Sequence, residues 1–382
     1  MAVAAPERAP QVAQRPHGVA TGVRLHTRGP VTLAWLSRTV VPVVRRLREQ
    51  GAGTVYLRRG WRHGPHVDVV ARDPRGAAVD WPALAVRLDA GPLDPAQALD
   101  EADYLDSARE LGRLEDVPPP YLPLRPHGCV ELLDAPAAAS GDPRLDGLRE
   151  VVANALCPVV VDTVDELAGH PDRGVERLAE AFAAVADTHA LGAAYGVFSL
   201  RSHAEAFLAW TRPSRDLRPA FRERAARDAA VLRPVVERRL AGAPGPSGAA
   251  WRTALAYGQG VLDAAVAEGR LTNDLLDSVT AGVDQARLGP PGAATSGPAG
   301  PSPDSDFHRD VEASGVVAAP TEWFAAYRLL VNLFYQQLPL LTVSPLQRAY
   351  TCFAVAEAVD EVLGIPWQER LVREQLVQGG AR

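Results

Sequence analysis

The chain has 382 residues, of which 47% are hydrophobic, and a formal net charge of -6. That length supports one large domain or two with a substantial core, and the acidic balance argues against a general nucleic-acid binder. Cys129, Cys157 and Cys352 are the only cysteines; they lack metal-ligand spacing, and an odd number argues against a disulfide framework, so a cytoplasmic protein is expected.

Residues 1–18, MAVAAPERAPQVAQRPHG, have no apolar signal region and read as a loose tail. VATGVRLHT (19–27) reads as a strand. TLAWLSRTVVPVVRRLREQG (32–51) reads as a helix kinked at Pro42 and stopped by Gly51. GTVYLRRG (53–60) and PHVDVVARD (65–73) read as a hairpin turning at Gly64-Pro65. A polar helical stretch follows at 94–115, and then the proline-rich PPPYLPLRPHG (118–128), which is extended or turn.

From residue 144 the spacing is helical: 144–156, 174–191, 202–211, 219–242, 250–269 and 273–288 all carry apolar residues at helical intervals. Residues 287–304, rich in Gly, Pro and Ser, read as a mobile loop. Two helices close the chain. One runs from an N-cap at Thr321 to Pro339. The other runs from an N-cap at Ser344 to Gly364. The expected class is α+β, with a small mixed or antiparallel sheet in the first third and a helical remainder, as one domain over 19–382. No apolar run reaches the roughly 20 residues of a membrane helix.

Four stretches carry candidate chemistry. The hairpin VYLRRGWRHGPHVDVV bears Arg58, Trp61 and His66 and ends on Asp68. It is either a peptide-gripping edge or a solvated face with Trp61 half-buried. FSLRSHAEAFLAW (198–210) places Arg201, Ser202 and His203 at an expected helix start, with Ser202 and Glu205 as a capping box. His203 is either an acid–base group or a structural histidine. SDFHRD (305–310) gathers Ser305 and His308, as a cleft cap or a solvated connector. On the helix 321–338, Arg328, Asn332 and Tyr335 are spaced four and three apart on one face, beside an apolar stripe that includes Tyr327. No Walker loop, GxGxxG after a strand, GxSxG or HExxH occurs, so neither a nucleotide cofactor nor a metal is expected.

Three of these stretches, in this order, resemble the C-terminal elimination domain of lantibiotic dehydratases and the related stand-alone thiopeptide-type bacteriocin biosynthesis proteins. An aromatic-Arg strand, a glycine turn and His-Leu-Arg-Leu-Arg correspond to VYLRRGWRHGPHVDVV. Ser-Phe-x-Ser-His corresponds to FSLRSHAEAFL, and His-x-x-Asn-Arg to RLLVNLFY. The departures are informative. The two arginines after His fall on Asp68 and Val70, the late His on Leu329, and the Arg after Asn on Leu333. In elimination domains such residues remove the Cα proton and expel glutamate from a glutamylated Ser or Thr. Asp68 would repel that carboxylate, and Leu329 moves no proton.

The branch that suits these losses is the thiopeptide pyridine synthases. The resemblance implies a cofactor-independent enzyme acting on a ribosomal precursor peptide, with a leader and a core bearing azoles and dehydroalanines, alongside other pathway enzymes. It further implies a formal [4+2] cycloaddition between two dehydroalanines, with loss of water and of the leader. Tyr335, Tyr327, His308, Ser305 and His203 are the expected catalytic groups. Arg58, Trp61, His66, Ser202, Arg201 and Asn332 are the expected substrate-binding ones. Two other readings stand beside it: a glutamate-elimination enzyme with rearranged residues, and a non-catalytic leader-binding partner.

Overall fold

The computed structural model describes residues 12–13, 21–72, 79–115, 117–133, 143–212, 214–280, 305–315 and 321–371. The expected tail and the 287–304 loop fall outside them, apart from a two-residue strand. Chain contacts group into two compact units. The first holds residues 1–139, 160–169 and 340–342; the second holds 140–159, 170–339 and 343–382.

The first unit is built on a five-stranded sheet: β1 (Val12–Ala13), β2 (Gly22–His26), β3 (Thr54–Gly60), β4 (His66–Arg72) and β5 (Val130–Leu133), in the order β1-β5-β2-β4-β3. The β1–β5 pair is parallel and the other three pairs are antiparallel. The expected hairpin is β3–β4, registered with Arg58 opposite Asp68 and Gly60 opposite His66. Alternation splits the sheet into two faces. Val23, Leu25, Leu57, Val67 and Val69 are buried on one. Arg24, His26, Arg58, His66 and Asp68 share the other. Helix α1 (Leu33–Thr39), capped by the Thr32 hydroxyl, passes at Val40 into α2 (Val41–Glu49), with Pro42 in the first turn of α2, where a proline needs no donor. Their buried residues Leu36, Val44 and Leu47, with those of α3 (Trp81–Ala85), complete this core. Helix α4 (Glu101–Glu115) places Tyr104 and Ala108 in a small cluster with Leu124, against which Trp61 and Tyr121 pack.

The second unit is helical. Helix α5 (Pro143–Gly169) leads into α6 (Gly174–Ala186), whose residues from Arg177 to Ala186 are all buried. Around it stand α7 (Ala193–Thr211), α8 (Arg218–Leu240), α9 (Pro246–Ala267), α10 (Asn273–Thr280), α11 (Asp306–Ser314), α12 (Glu322–Gln337) and α13 (Pro345–Leu363). Phe182 of α6 meets Phe334 of α12 edge-on at 5.1 Å, and Phe334 meets Trp251 of α9 at 5.7 Å. These aromatic contacts centre the core. α13 is bounded as the sequence indicates: Ser344 accepts from the Gln347 amide, and Gly364 closes the helix at φ 61°.

One expectation is corrected. α7 does not start at Ser202 but at Ala193, with Gly192 as N-cap. The buried stripe Ala193, Val197, Leu200, Ala204 and Leu208 runs unbroken through Ser202, so nothing ends the helix there. Ser202 is therefore mid-helix. Glu205, instead of closing a capping box, takes both ends of the Arg218 guanidinium, at 2.9 and 2.5 Å.

Candidate functional site

The polar face of the sheet carries a row of charge across four strands. Arg58 of β3, Asp68 of β4, Arg24 of β2 and Glu131 of β5 lie opposite one another in register. Arg24 grips Asp68 with two hydrogen bonds, at 2.7 and 3.0 Å, and Arg58 adds a third at 3.3 Å. Burial pushes the Asp68 carboxyl up, but the Arg24 hydrogen bonds and the surrounding cations outweigh it and hold the group below its usual range. Glu131 takes His26 at 3.0 Å and Arg125 at 2.7 Å; the His26 hydrogen bond is the main reason its carboxyl drops to about 2. His66 donates from Nδ1 to the Gly64 carbonyl, at 2.8 Å. Its ring lies so close over Gly60 that a Cβ there would come within 2.2 Å of Nε2, so only glycine fits opposite it. Burial, then the Arg24 charge, lowers the His66 pKa to about 3, so the ring is neutral.

The helical unit holds a different cluster, made of neutral donors. Two tyrosines of α12, eight residues apart, meet two positions of α7, seven apart. Tyr327 donates to the Gly196 carbonyl at 2.8 Å, and the Tyr335 hydroxyl meets His203 Nδ1 at 3.1 Å. α7 comes close to α6 at Gly196, where a Cβ would reach within 1.9 Å of the Ala186 carbonyl. The Tyr335 hydroxyl also lies 3.3 Å from Cys352 Sγ of α13. Burial raises both tyrosines and lifts the thiol to about 11. Burial, then the charge of Arg348, lowers His203 to about 4. All four groups are thus uncharged near pH 7. Thiol sulfur is a weak acceptor and imidazole nitrogen a good one, so the favoured wiring runs S–H to phenol oxygen and phenol O–H to His203 Nδ1.

Beside it, Ser305 caps α11, and its hydroxyl sits 2.7 Å from His308 Nδ1. Ser202 Oγ sits 3.0 Å from His308 Nε2. His308 therefore links two serine hydroxyls, one of them on the residue before His203. Its pKa is lowered by burial. A cavity of about 500 Å³ opens next to Ser305, walled by Arg201, Glu205, Phe307, Glu357 and Trp367 among others.

The structure thus gathers two hydrogen-bonded sets, Tyr335 with His203 and Ser202 with His308 and Ser305, which adjoin through the consecutive residues Ser202 and His203 of α7. Tyr327 is fully buried, and its hydroxyl is committed to the backbone. Asn332 is exposed, while Tyr335, one turn on, is buried. Arg201 is only 5% exposed, and its two terminal nitrogens bind Glu357 at 2.6 Å and Asp360 at 2.8 Å, so it ties α7 to α13. Arg58 and His66 belong to the sheet row, and Trp61 packs on Tyr121 at 5.5 Å. The sequence reading missed Arg24 and Glu131, the partners that saturate the row, and Cys352 and Arg348, which border Tyr335. Pairings between residues so far apart in sequence leave no local signal. Among the described residues no group of His, Cys, Asp or Glu is placed to hold a metal, and no helix is long and apolar enough to cross a membrane.

No family model matches the sequence, and no curated protein matches it. Solved structures do. The pyridine synthase TbtD from thiomuracin biosynthesis matches with a TM-score of 0.62 at 22% identity, over 91% of this chain and 99% of that one. TsrL matches with a TM-score of 0.59 at 16% identity, over 92% of this chain and 97% of that one. The α+β fold expected from the sequence is the one observed, and over nearly its full length it is shared with a pyridine synthase.

Proposed function

We propose that this chain is a thiopeptide pyridine synthase. The observation that carries the reading is the uncharged cluster of Tyr335, His203, His308, Ser202 and Ser305, on a fold shared with a pyridine synthase. In the proposed reaction, the amide preceding one dehydroalanine tautomerises to its iminol and forms an azadiene. A second dehydroalanine of the same peptide adds across it. Two carbon–carbon bonds form and close a six-membered ring. Loss of water and release of the leader as a carboxamide then leave an aromatic pyridine, with no net oxidation. Holding two distant residues face to face supplies much of the acceleration. The rest comes from hydrogen bonds to the iminol and from proton delivery to the departing hydroxyl. Tyr335, backed by His203, is the proposed donor, and His308 with its two serines carries the second proton path.

Elimination chemistry is a poorer fit. The positions that would carry its Arg and His hold Asp68, Val70, Leu329 and Leu333, and all four are buried. Asp68 is, besides, already occupied by two arginines.

The precursor's leader is proposed to dock on the first unit. Eight arginines precede residue 49, against the single acid Glu7. A groove of about 310 Å³ is lined by Arg38, Arg46 and Arg87, three cations against the single acid Asp89, over Thr39, Pro42, Val43 and Leu84. Neighbouring Arg45 is paired with Asp162 and Asp165, and Arg48 with the Val55 carbonyl. The three groove arginines have no ion pair among the described residues. An acidic peptide would supply the missing charge.

The deciding experiment incubates the protein alone with an azole-bearing peptide that contains two dehydroalanines. A macrocycle with pyridine absorbance and a free leader ending in a carboxamide are the expected products. Substrate bound but recovered unchanged would establish a binding partner instead. Glutamate release from a glutamylated precursor would establish an elimination enzyme.

A further inference from the structure

Arg348 is one of several arginines of the helical unit, with Arg215, Arg222 and Arg227, that have no ion pair among the described residues, and the one of these that lies over an aromatic ring. Arg201, Arg218, Arg224, Arg309, Arg328 and Arg370 each have a carboxylate partner. Arg348 has none among the described residues, and it is exposed. Its guanidinium carbon lies 5.2 Å from the centre of the Tyr335 ring, the ring whose hydroxyl meets His203 and Cys352. Its charge disfavours a proton on His203 and favours loss of one from Tyr335 and Cys352. An exposed cation over the Tyr335 ring, with no ion pair among the described residues, has no full negative charge to meet at rest. It becomes useful when negative charge develops beside it. A guanidinium resting on an aromatic face also keeps its in-plane N–H donors free for an incoming oxygen.

We infer that Arg348 is a substrate-contacting residue of this site: its guanidinium hydrogen-bonds the carbonyl oxygen of the amide that becomes the iminol. In that tautomerisation a proton moves from the amide nitrogen to its oxygen, and electron density on the oxygen rises on the way. A fixed cation stabilises that density more in the transition state than in the bound substrate, so it acts on kcat rather than on KM. The inference rests on the pyridine-synthase reading, and the experiment separates the two.

The wild-type protein is assayed first with the two-dehydroalanine peptide; pyridine formation there tests the reading alone. Arg348→Gln is then expected to lower kcat by about 100-fold with little change in KM, as loss of a preorganised donor does. Arg348→Lys, which keeps the charge but not the fork, falls between. Added guanidinium at millimolar concentration is expected to restore part of the Arg348→Ala rate. Tm should stay put in all three, because an exposed side chain without an ion pair is removed. As an activity-free check, the His203 imidazole in Arg348→Gln should titrate at higher pH by NMR, having lost a like charge. An active wild type with an unaffected Arg348→Gln overturns the inference and spares the reading. So does a loss that guanidinium does not rescue and that follows a lowered Tm. An inactive wild type overturns the reading itself.

Discussion

The sheet of the first unit and the helical cluster of the second are both rich in polar side chains but are built from opposite kinds, ionic in the one and neutral in the other. In the sheet, Arg24 and Arg58 pair with Asp68 and Arg125 with Glu131, which also meets His26, and each has a partner within 3.3 Å. Such a row fixes strand register and leaves little capacity for a ligand. In the helical cluster, neutral hydrogen bonds join Tyr335 to His203 and Cys352, and a second, adjoining set joins His308 to Ser202 and Ser305. Neutral donors can turn a hydrogen bond toward a substrate without breaking an ion pair, whereas the paired side chains of the row cannot. Charge density in the sequence therefore marks architecture here, and sparse polar positions on apolar helices mark the proposed site.

The largest effect that can break this contrast lies at Tyr335. Tyr335→Phe removes one oxygen and is expected to lower kcat for pyridine formation by about 100-fold, in the range for general acid–base groups. KM should change far less. An unchanged kcat would move the chemistry away from this cluster.

Asp68→Ala tests the other side. It leaves Arg24 and Arg58 facing each other across β4 with no anion between them. Removing one partner of a buried pair costs about 3–5 kcal/mol, and the two arginines are 22% and 26% exposed, so about 2–3 kcal/mol is expected. Denaturant unfolding should show that loss, while turnover per folded molecule stays near wild type. An inactive, fully folded Asp68→Ala protein would put the acid in the reaction and end the contrast.

Acid should weaken both units through histidines kept neutral by burial. His66 is lowered to about 3, and His189 and His203 to about 4. Each binds its proton in the unfolded chain near pH 6.5 but not in the folded one, so the stability it lends is full above 6.5. That stability is lost as pH falls toward the folded value, at up to about 1.4 kcal/mol per pH unit per group. Denaturant midpoints at pH 7 and pH 5 should therefore differ, pH 5 being the lower. Equal midpoints would mean that these rings are not buried neutral.

The legible parts of the fold were those with local signals. Gly64-Pro65 marked the hairpin turn, Pro42 a kink that the structure makes a break between α1 and α2 at Val40, and Ser344, Pro345 and Gly364 the ends of α13. β5 was missed because four residues, VELL, carry no period, and their pairing with β2 lies across a hundred residues of sequence. The start of α7 was misplaced because Ser202 has capping chemistry without a capping position. At the site the same rule applied. Tyr335, His203, His308 and Ser305 stood out as polar residues near apolar stripes. Arg58 and His66 stood out equally, since nothing near them in sequence announces Arg24 and Glu131.

The smallest effect concerns the groove of the first unit. Its arginines differ from those of the sheet row in being exposed and without an ion pair among the described residues, so each is expected to add little and to be screened by salt. Arg46→Gln should weaken binding of an acidic leader peptide by a few-fold, in keeping with about 1 kcal/mol or less for an exposed charge pair. Raising ionic strength from about 0.1 M to about 1 M shortens the Debye length from about 10 Å to about 3 Å and should weaken the wild-type complex further. The Arg46→Gln complex, with one pair fewer, should respond less steeply. Asp68→Ala should leave the salt dependence unchanged, because the arginines it releases belong to the sheet and not to the groove. Binding that ignores both salt and Arg46 would show that the leader is held by apolar contacts elsewhere, and that the groove arginines of α1, α2 and the segment after α3 are only a solvated face.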